Sequence, residues 1–349
     1  MKKSFFVLGV AVAALASCTN EEVVDMPQSR AIQFGTFVNH STRSSSSSVT
    51  ETTDLTLNKF FVFGSYDENS KWIPVYTNVQ VNGGQVGDKS IWTPTQTAYW
   101  QVSKDYLFGA YSDGDHKNNT ATFDETNKQL VFENYTAENG KDLIVAISKL
   151  TSKADATQNT AVNLSFYHML SQVKFTFENT DSPDYTMKIS DIKVSAVKTT
   201  KGTATYGKEK PTILWETTSS TPKAEYDFGT IEDIAEEFKE DTHTTTCFVI
   251  PQSNENLLVT FTATFSDKSG KTIAQNKIKG SLKYSGNAEG TEQGKWTEGF
   301  KYNYTVEING STIDPDLEGQ EIKFQVEAVN GWETASNTDI ENPEVNSGE

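Results

Sequence analysis

The chain has 349 residues, 36% of them hydrophobic, enough length and apolar content for two modest cores. Its 47 Asp and Glu outnumber its 30 Lys and Arg, for a formal net charge of −17, and a surface of that sign repels phosphate backbones, which argues against nucleic acid as a partner. Beyond the N-terminus no apolar run is long enough for a transmembrane helix.

The chain opens with an export pattern. Lys2 and Lys3 precede an apolar run from Phe5 to Leu15, which has the length of a secretory signal and is too short to span a bilayer. Leu15-Ala16-Ser17-Cys18 places a small residue before a cysteine, as in a bacterial lipoprotein signal. The expectation is that residues 1–17 are removed and Cys18 is lipidated, tethering the chain to the outer membrane and the cell surface. Glu21 and Glu22 follow closely and resemble the acidic signal that sends some lipoproteins to the outer face.

Residues 18–30 read as a polar tether ending at Arg30. Ala31 to Val38 is the first predicted strand, with Ile32, Phe34 and Thr36 on one side. Asn39 to Thr53 follows, an exposed loop that carries Arg43 and the serines Ser44 to Ser48. Leu55 to Tyr66 holds Phe60, Phe61, Val62 and Phe63 in a row, so that strand is predicted to be buried on both faces. Val75, Thr77, Val79 and Val81 alternate, and Asn82-Gly83-Gly84 reads as a turn. Asp105 to Tyr111, Gln129 to Glu133, Asp142 to Ile147 and Val162 to Phe166 complete a first set of strands.

A second set has the same style. It runs through Val173 to Phe177, Ile189 to Val197, Thr212 to Trp215, Thr245 to Ile250, Leu257 to Phe265, Ile278 to Lys283, Tyr302 to Ile308 and Glu321 to Val329. Ile231, Ile234, Ala235 and Phe238 are spaced for one face of a short helix, with Thr230 as its N-cap. Residues 333–349 are a polar, acidic tail. The pattern predicts an all-β chain of two tandem β-sandwiches, residues 31–167 and 168–332.

A search for catalytic patterns returns nothing usable. His-Glu-x-x-His, Gly-x-Ser-x-Gly and a phosphate loop are missing from the sequence, and Gly290 to Lys295 has one residue too few between its glycines, with Trp296 where a Ser or Thr would bind magnesium. His40, His116, His168 and His243 lack metal-ligand spacing, and Asp113-Gly114-Asp115 lacks the closing Glu of a calcium loop. Cys247 sits in an apolar strand and reads as a small core residue. The expectation is a non-enzyme with neither cofactor nor metal.

Several blocks resemble the fimbrillin family, the subunits of type V pili. Tyr99-Trp100 with Tyr106-Leu107-Phe108-Gly109-Ala110-Tyr111 is similar to the family's aromatic strand, with Gln101 in place of the usual proline. Lys141 to Ala146 resembles the next block, and Leu164 to Phe175 resembles the Phe-x-His-x-x-Ser junction. Phe248 to Gln252 and Lys295 to Tyr304 resemble two C-terminal blocks. The resemblance implies two transthyretin-like Greek-key sandwiches, export as a lipoprotein, and assembly with other pilus subunits by donor-strand exchange. In that scheme a trypsin-like maturation protease cuts after an arginine beyond the first strand. The strand carrying Ile32, Phe34 and Phe37 then leaves, and a strand of the next subunit takes its place.

The residues fit that scheme at one place. Arg30 and Arg43 are the only arginines in the chain and they bracket the first strand. Arg43, in the serine loop, is the preferred processing site and Arg30 the second choice. Loss of the strand would expose about four apolar side chains worth roughly 1.5–3 kcal/mol each, together with unpaired backbone groups, and a replacement strand would recover both. Ile322, Phe324 and Val326 alternate, and either donate to a neighbour or close their own sandwich. In the second case the subunit accepts a strand without giving one, which makes it a tip or accessory subunit for cell adhesion rather than a stalk subunit. The alternative is a monomeric surface lipoprotein that keeps its lipid and binds a glycan or host surface ligand, with Trp72 or Trp92 as candidate contacts.

Overall fold

The computed structural model describes residues 31–38, 57–86, 89–151, 161–180, 185–234, 244, 246–309 and 321–330. Among them the chain is all β, with no helix. The first strands are β1 (Phe34–Val38), β2 (Lys59–Glu68), β3 (Lys71–Val86), β4 (Lys89–Pro94), β5 (Asp105–Asp113), β6 (Ala121–Asp124), β7 (Gln129–Thr136), β8 (Leu143–Thr151) and β9 (Val162–His168). Then come β10 (Ser171–Asn179), β11 (Tyr185–Val197), β12 (Thr199–Thr205), β13 (Thr212–Trp215), β14 (Lys223–Asp227) and β15 (Ile231–Ile234). The last are β16 (Cys247–Val249), β17 (Leu258–Asp267), β18 (Thr272–Ser281), β19 (Phe300–Ile308), β20 (Glu321–Lys323) and β21 (Gln325–Asn330).

The first sheet runs β1-β4-β3-β2-β5-β8-β9 and closes on itself, because β1 also pairs in parallel with β9. The facing walls of a sandwich are here one continuous sheet, which removes its open edges. Alternation explains why the aromatic run of β2 is buried on both sides. Phe60 and Val62 point into the closed sheet with Val81, Phe108, Ala110, Leu164 and Phe166. Phe61 and Phe63 belong to the other core, where Phe61 stacks on Tyr111 at 5.5 Å and Phe63 on Phe123 at 6.1 Å.

Two sequence expectations are corrected. Asn82-Gly83-Gly84 is not a turn; β3 continues through it, with Asn82 opposite Thr93 and Gly83 opposite Trp92. A Cβ at position 83 would lie 3.0 Å from the Asn58 carbonyl oxygen and 3.0 Å from Cζ3 of the Trp92 indole, tighter than ordinary contact. The helix expected from Ile231 is a strand, β15, paired with β11. A register shift between Met187 and Ile189 lets both Ile231 and Ile234 turn to the core, so a bulged strand produces the three-residue spacing of a helix face. Ala235 and Phe238 lie outside the described residues.

The remaining strands form three sheets. One is β16-β10-β19-β21, and the second is β14-β11-β17-β18-β20 with β15 on β11. Their inner faces share a core that includes Val173, Phe175, Phe177, Phe261, Trp296 and Tyr304. The third sheet, β13-β12-β7-β6, draws strands from both sides of position 167, with Thr199 opposite Thr136 and Thr205 opposite Gln129. Behind it the Trp215 indole donates to the Met169 carbonyl at 2.8 Å and packs on Tyr135 at 5.5 Å.

Candidate assembly groove

The strand expected to be removable occupies a slot between β4 and β9. It runs parallel to β9 from Phe34↔Val162 to Val38↔Phe166 and meets β4 at Phe34↔Trp92. Just before β1, the Ile32 N–H donates to the Ala98 carbonyl at 2.8 Å and the Val162 N–H donates to the Gln33 carbonyl at 2.7 Å. Ala31 forms a bridge with Tyr99. The segment is thus fixed along both flanks, but its pairing with β4 is much shorter than its pairing with β9.

Ile32 and Phe34 belong to the core of the closed sheet. Ile32 is 2% exposed and Phe34 5%. The Phe34 ring lies 5.8 Å from Phe60, 5.8 Å from Tyr76 and 5.9 Å from Phe108. Burial of two such side chains stabilises the plugged state by roughly 3–6 kcal/mol in area bookkeeping. Phe37 pairs with Ser165 in the β9 register. Cys18, Arg30 and Arg43 lie outside the described residues.

The second candidate strand is embedded in its own chain. Ile322 on β20 pairs with Gly280 of β18, and Val326 on β21 pairs with Tyr304 of β19, so the segment crosses from one sheet to the other. Phe324, at the crossing, inserts among Phe175, Phe177, Tyr304 and Phe261, with ring centroids 5.7, 6.1, 6.2 and 6.4 Å away. Only glycine fits at position 280, because a Cβ there would collide with the Phe324 ring.

Asp142 and His168 form a buried pair, Oδ2 to Nδ1 2.6 Å, where β8 and β9 meet. Burial pushes the Asp142 carboxyl up and the histidine beside it pulls the other way. The Tyr135 hydroxyl donates to Asp113 at 2.9 Å, whereas Asp115 accepts from the backbone of Asn58 and Lys59. The two acids of the calcium-like turn therefore have separate partners. Among the described residues no group of three or more His, Cys, Asp or Glu is placed to hold a metal. Cys247 is buried, and burial pushes its thiol up to about 11. Trp72 and Trp92 are half-buried. Sequence reasoning missed the slot's lining, Tyr76 and Trp92 above all; the signal available for it was the alternation of Tyr76 with its strand neighbours.

Residues 42–332 match the profile described as fimbrillin-like. The chain belongs to the fimbrillin-like family. The family is one of structural fimbrial subunits, which gives this fimbrillin-like chain a fimbrial role at the cell surface beside other subunits. No curated protein matches it in sequence. Several solved structures are similar to it at low identity. A candidate cell adhesion protein of Bacteroides uniformis is 15% identical, covering 87% of this chain and 98% of its own, with a TM-score of 0.46. One of Parabacteroides distasonis is 9% identical over 86% and 96%, with a TM-score of 0.48. The fimbrial anchor protein Mfa2 of Porphyromonas gingivalis is 12% identical over 79% and 90%, with a TM-score of 0.34.

Proposed function

We propose that this fimbrillin-like chain is a non-catalytic adhesive subunit that receives a strand from a neighbour and gives none, which places it at a fibre tip or in an accessory position. It is exported as a lipoprotein on Cys18 and matured by an Arg-specific protease that cuts after Arg43, with Arg30 as the second site. Residues 31–38 then leave, and a strand of another pilus subunit adds to the edges of β4 and β9. On this reading residues 31–167 and 168–332 are the receiving and the self-closed sandwich.

The observation that carries the reading is the contrast between the two candidate strands. Ile32 and Phe34 lie on a short segment flanked by the chain's only arginines, and their departure empties a preformed slot. Phe324 is held among four aromatic rings by strands of two sheets, so its withdrawal would open the chain's second core. Replacing both arginines (Arg30→Ala with Arg43→Ala) tests the reading. The variant should reach the surface at normal levels and be missing from sheared fibres. Normal incorporation of the double variant would overturn it.

A further inference from the structure

The outer face of the sheet β14-β11-β17-β18-β20 takes no part in either core. On β17 the alternation puts Val259, Phe261, Ala263 and Phe265 inside, which leaves Thr260, Thr262 and Thr264 in a line on the other face, half-buried. The register carries that line across the sheet in rows. Thr260 lies between Lys193 and Lys279, Thr262 between Ser190 and Lys277, and Thr264 between Lys188 and Gln275. The result is a floor of hydroxyls with lysines on both flanks, β11 and β18 standing about 10 Å apart at ordinary strand spacing.

The charge of this face is opposite to that of the chain. From Leu257 to Lys283 there are five lysines and one acid, Asp267, in a chain of net charge −17. Asp267 is engaged in the turn between β17 and β18, where its Oδ1 accepts from the Ser269 hydroxyl at 2.6 Å and from the Ser269 and Lys271 N–H groups. On the β11 flank Glu232 lies 2.7 Å from Lys188 and Glu225 lies 3.3 Å from Lys193. On the β18 flank Lys277 and Lys279 are exposed, with no ion-pair partner among the described residues. Glu321 stands opposite Lys279 in the β20 register, so the open charge is greatest at Lys277. The exposed Leu258 and Ile273 lie at opposite ends of the face, and the middle holds no apolar or aromatic side chain. Protein partners are anchored by apolar and aromatic groups at the centre of an interface, and single-stranded nucleic acids by aromatic platforms. Rows of hydroxyls and ammonium groups suit a polymer that itself carries hydroxyls and repeated negative charge.

We propose that this face binds an acidic polysaccharide, one whose sugars carry carboxylate or sulfate groups; the proposal rests on the adhesive part of the reading above and not on strand exchange. The polymer lies along β17, with its hydroxyls on Thr260, Thr262 and Thr264 and its anionic groups on Lys277 and Lys279. The negative charge of the rest of the chain repels such a polymer elsewhere and confines it to this face.

The test uses the full chain with Cys18→Ser and measures binding to polygalacturonate, heparin, a neutral galactan, polyglutamate and single-stranded DNA. Polygalacturonate carries carboxylates and heparin also sulfates, so the pair separates the two anionic groups. At least one of them should bind, more weakly as salt is raised, and more tightly than the other three polymers. Lys277→Gln with Lys279→Gln should weaken that binding about tenfold, and Lys277→Arg with Lys279→Arg should keep it. Thr262→Val should weaken it severalfold, a loss that charge alone does not produce. Lys71→Gln with Lys117→Gln, at two exposed lysines elsewhere, should leave it unchanged. Denaturant melts of all variants should match the native chain, because the substituted side chains lie outside both cores. Failure of both acidic polysaccharides to bind overturns the proposal, and so does binding that ignores the Lys277 and Lys279 pair or Thr262. Equal or tighter binding of polyglutamate or DNA overturns it in favour of an acidic protein or a nucleic acid. Self-association of the chain that the Lys277 and Lys279 pair of Gln substitutions abolishes also overturns it and makes a second copy the occupant. Incorporation into fibres is scored separately. A chain that assembles and binds no acidic polysaccharide defeats this proposal alone, whereas one that binds it and never assembles defeats the assembly reading alone.

Discussion

Phe34 meets Phe108 edge to face, with ring centroids 5.9 Å apart and planes at 89°. Phe108 is on β5, several strands away from β1 around the closed sheet, so the contact crosses the interior. β1 is therefore a part of the core as well as a strand in a ladder. Phe34→Ala in the uncut chain should lower unfolding stability by about 3–5 kcal/mol. Once the chain has been cut and the slot refilled by a peptide that keeps its own aromatic residue, the same substitution should have no effect. Denaturant melts of the two forms check both statements.

Trp215 ties the third sheet to the segment between β9 and β10 through its bond to the Met169 carbonyl. Trp215→Ala removes that bond and a large buried ring, and should cost about 3–5 kcal/mol. Trp215→Phe keeps most of the ring and should recover the larger part. Because strands from both sides of position 167 share this sheet, calorimetry of the native chain should show one transition that shifts as a whole.

Gly280→Val drives a side chain into Phe324. The expected result is release of β20 and β21, seen as rapid cutting at Lys323 by a lysine-specific protease under native conditions. Gly280→Val with Phe324→Ala should restore part of the protection, since the second change removes the colliding ring.

Burial raises the carboxyl pKa values of Asp113, Asp142 and Glu298 above their ordinary values. The folded chain then binds more protons than the unfolded one between the unfolded carboxylate range, about 4, and the raised values. For these groups stability falls as pH rises through that window. Asp113→Asn keeps an acceptor for the Tyr135 hydroxyl and removes one titrating group. Its stability should decline less steeply with rising pH than that of the native chain, as measured by denaturant melts from pH 4 upward.

Cys247 is fully enclosed and its thiol is pushed up to about 11 by burial. In a Cys18→Ser chain the remaining thiol should resist an aromatic disulfide reagent at pH 8 and react only on unfolding. Fast reaction in the native state would show that the β16 region opens locally.

Much of the architecture was legible because it rests on local alternation. Thr212 to Trp215 is a strand with the predicted bounds, and the first strand was found from the spacing of Ile32 and Phe34. β4, β6, β12 and β14 were not, because Lys89-Ser90, Thr199-Thr200-Lys201 and Lys223-Ala224-Glu225 carry little apolar signal and become strands by pairing with a neighbour. The break at Phe324 was hidden by alternation that continues from Ile322 to Ala328, although the chain changes sheet there. Burial of one atom, such as Nε1 of Trp92 or the Tyr76 hydroxyl, depends on strands far apart in sequence and leaves no trace in local pattern.

The central claim is that the chain's own first strand is removed to make room for another. N-terminal sequencing of the protein sheared from the cell surface tests it most directly. The account predicts a mature end at Ser44. A lipid-modified Cys18 as the sole N-terminus in assembled fibres would contradict it, and would favour an anchored lipoprotein that keeps β1 in place.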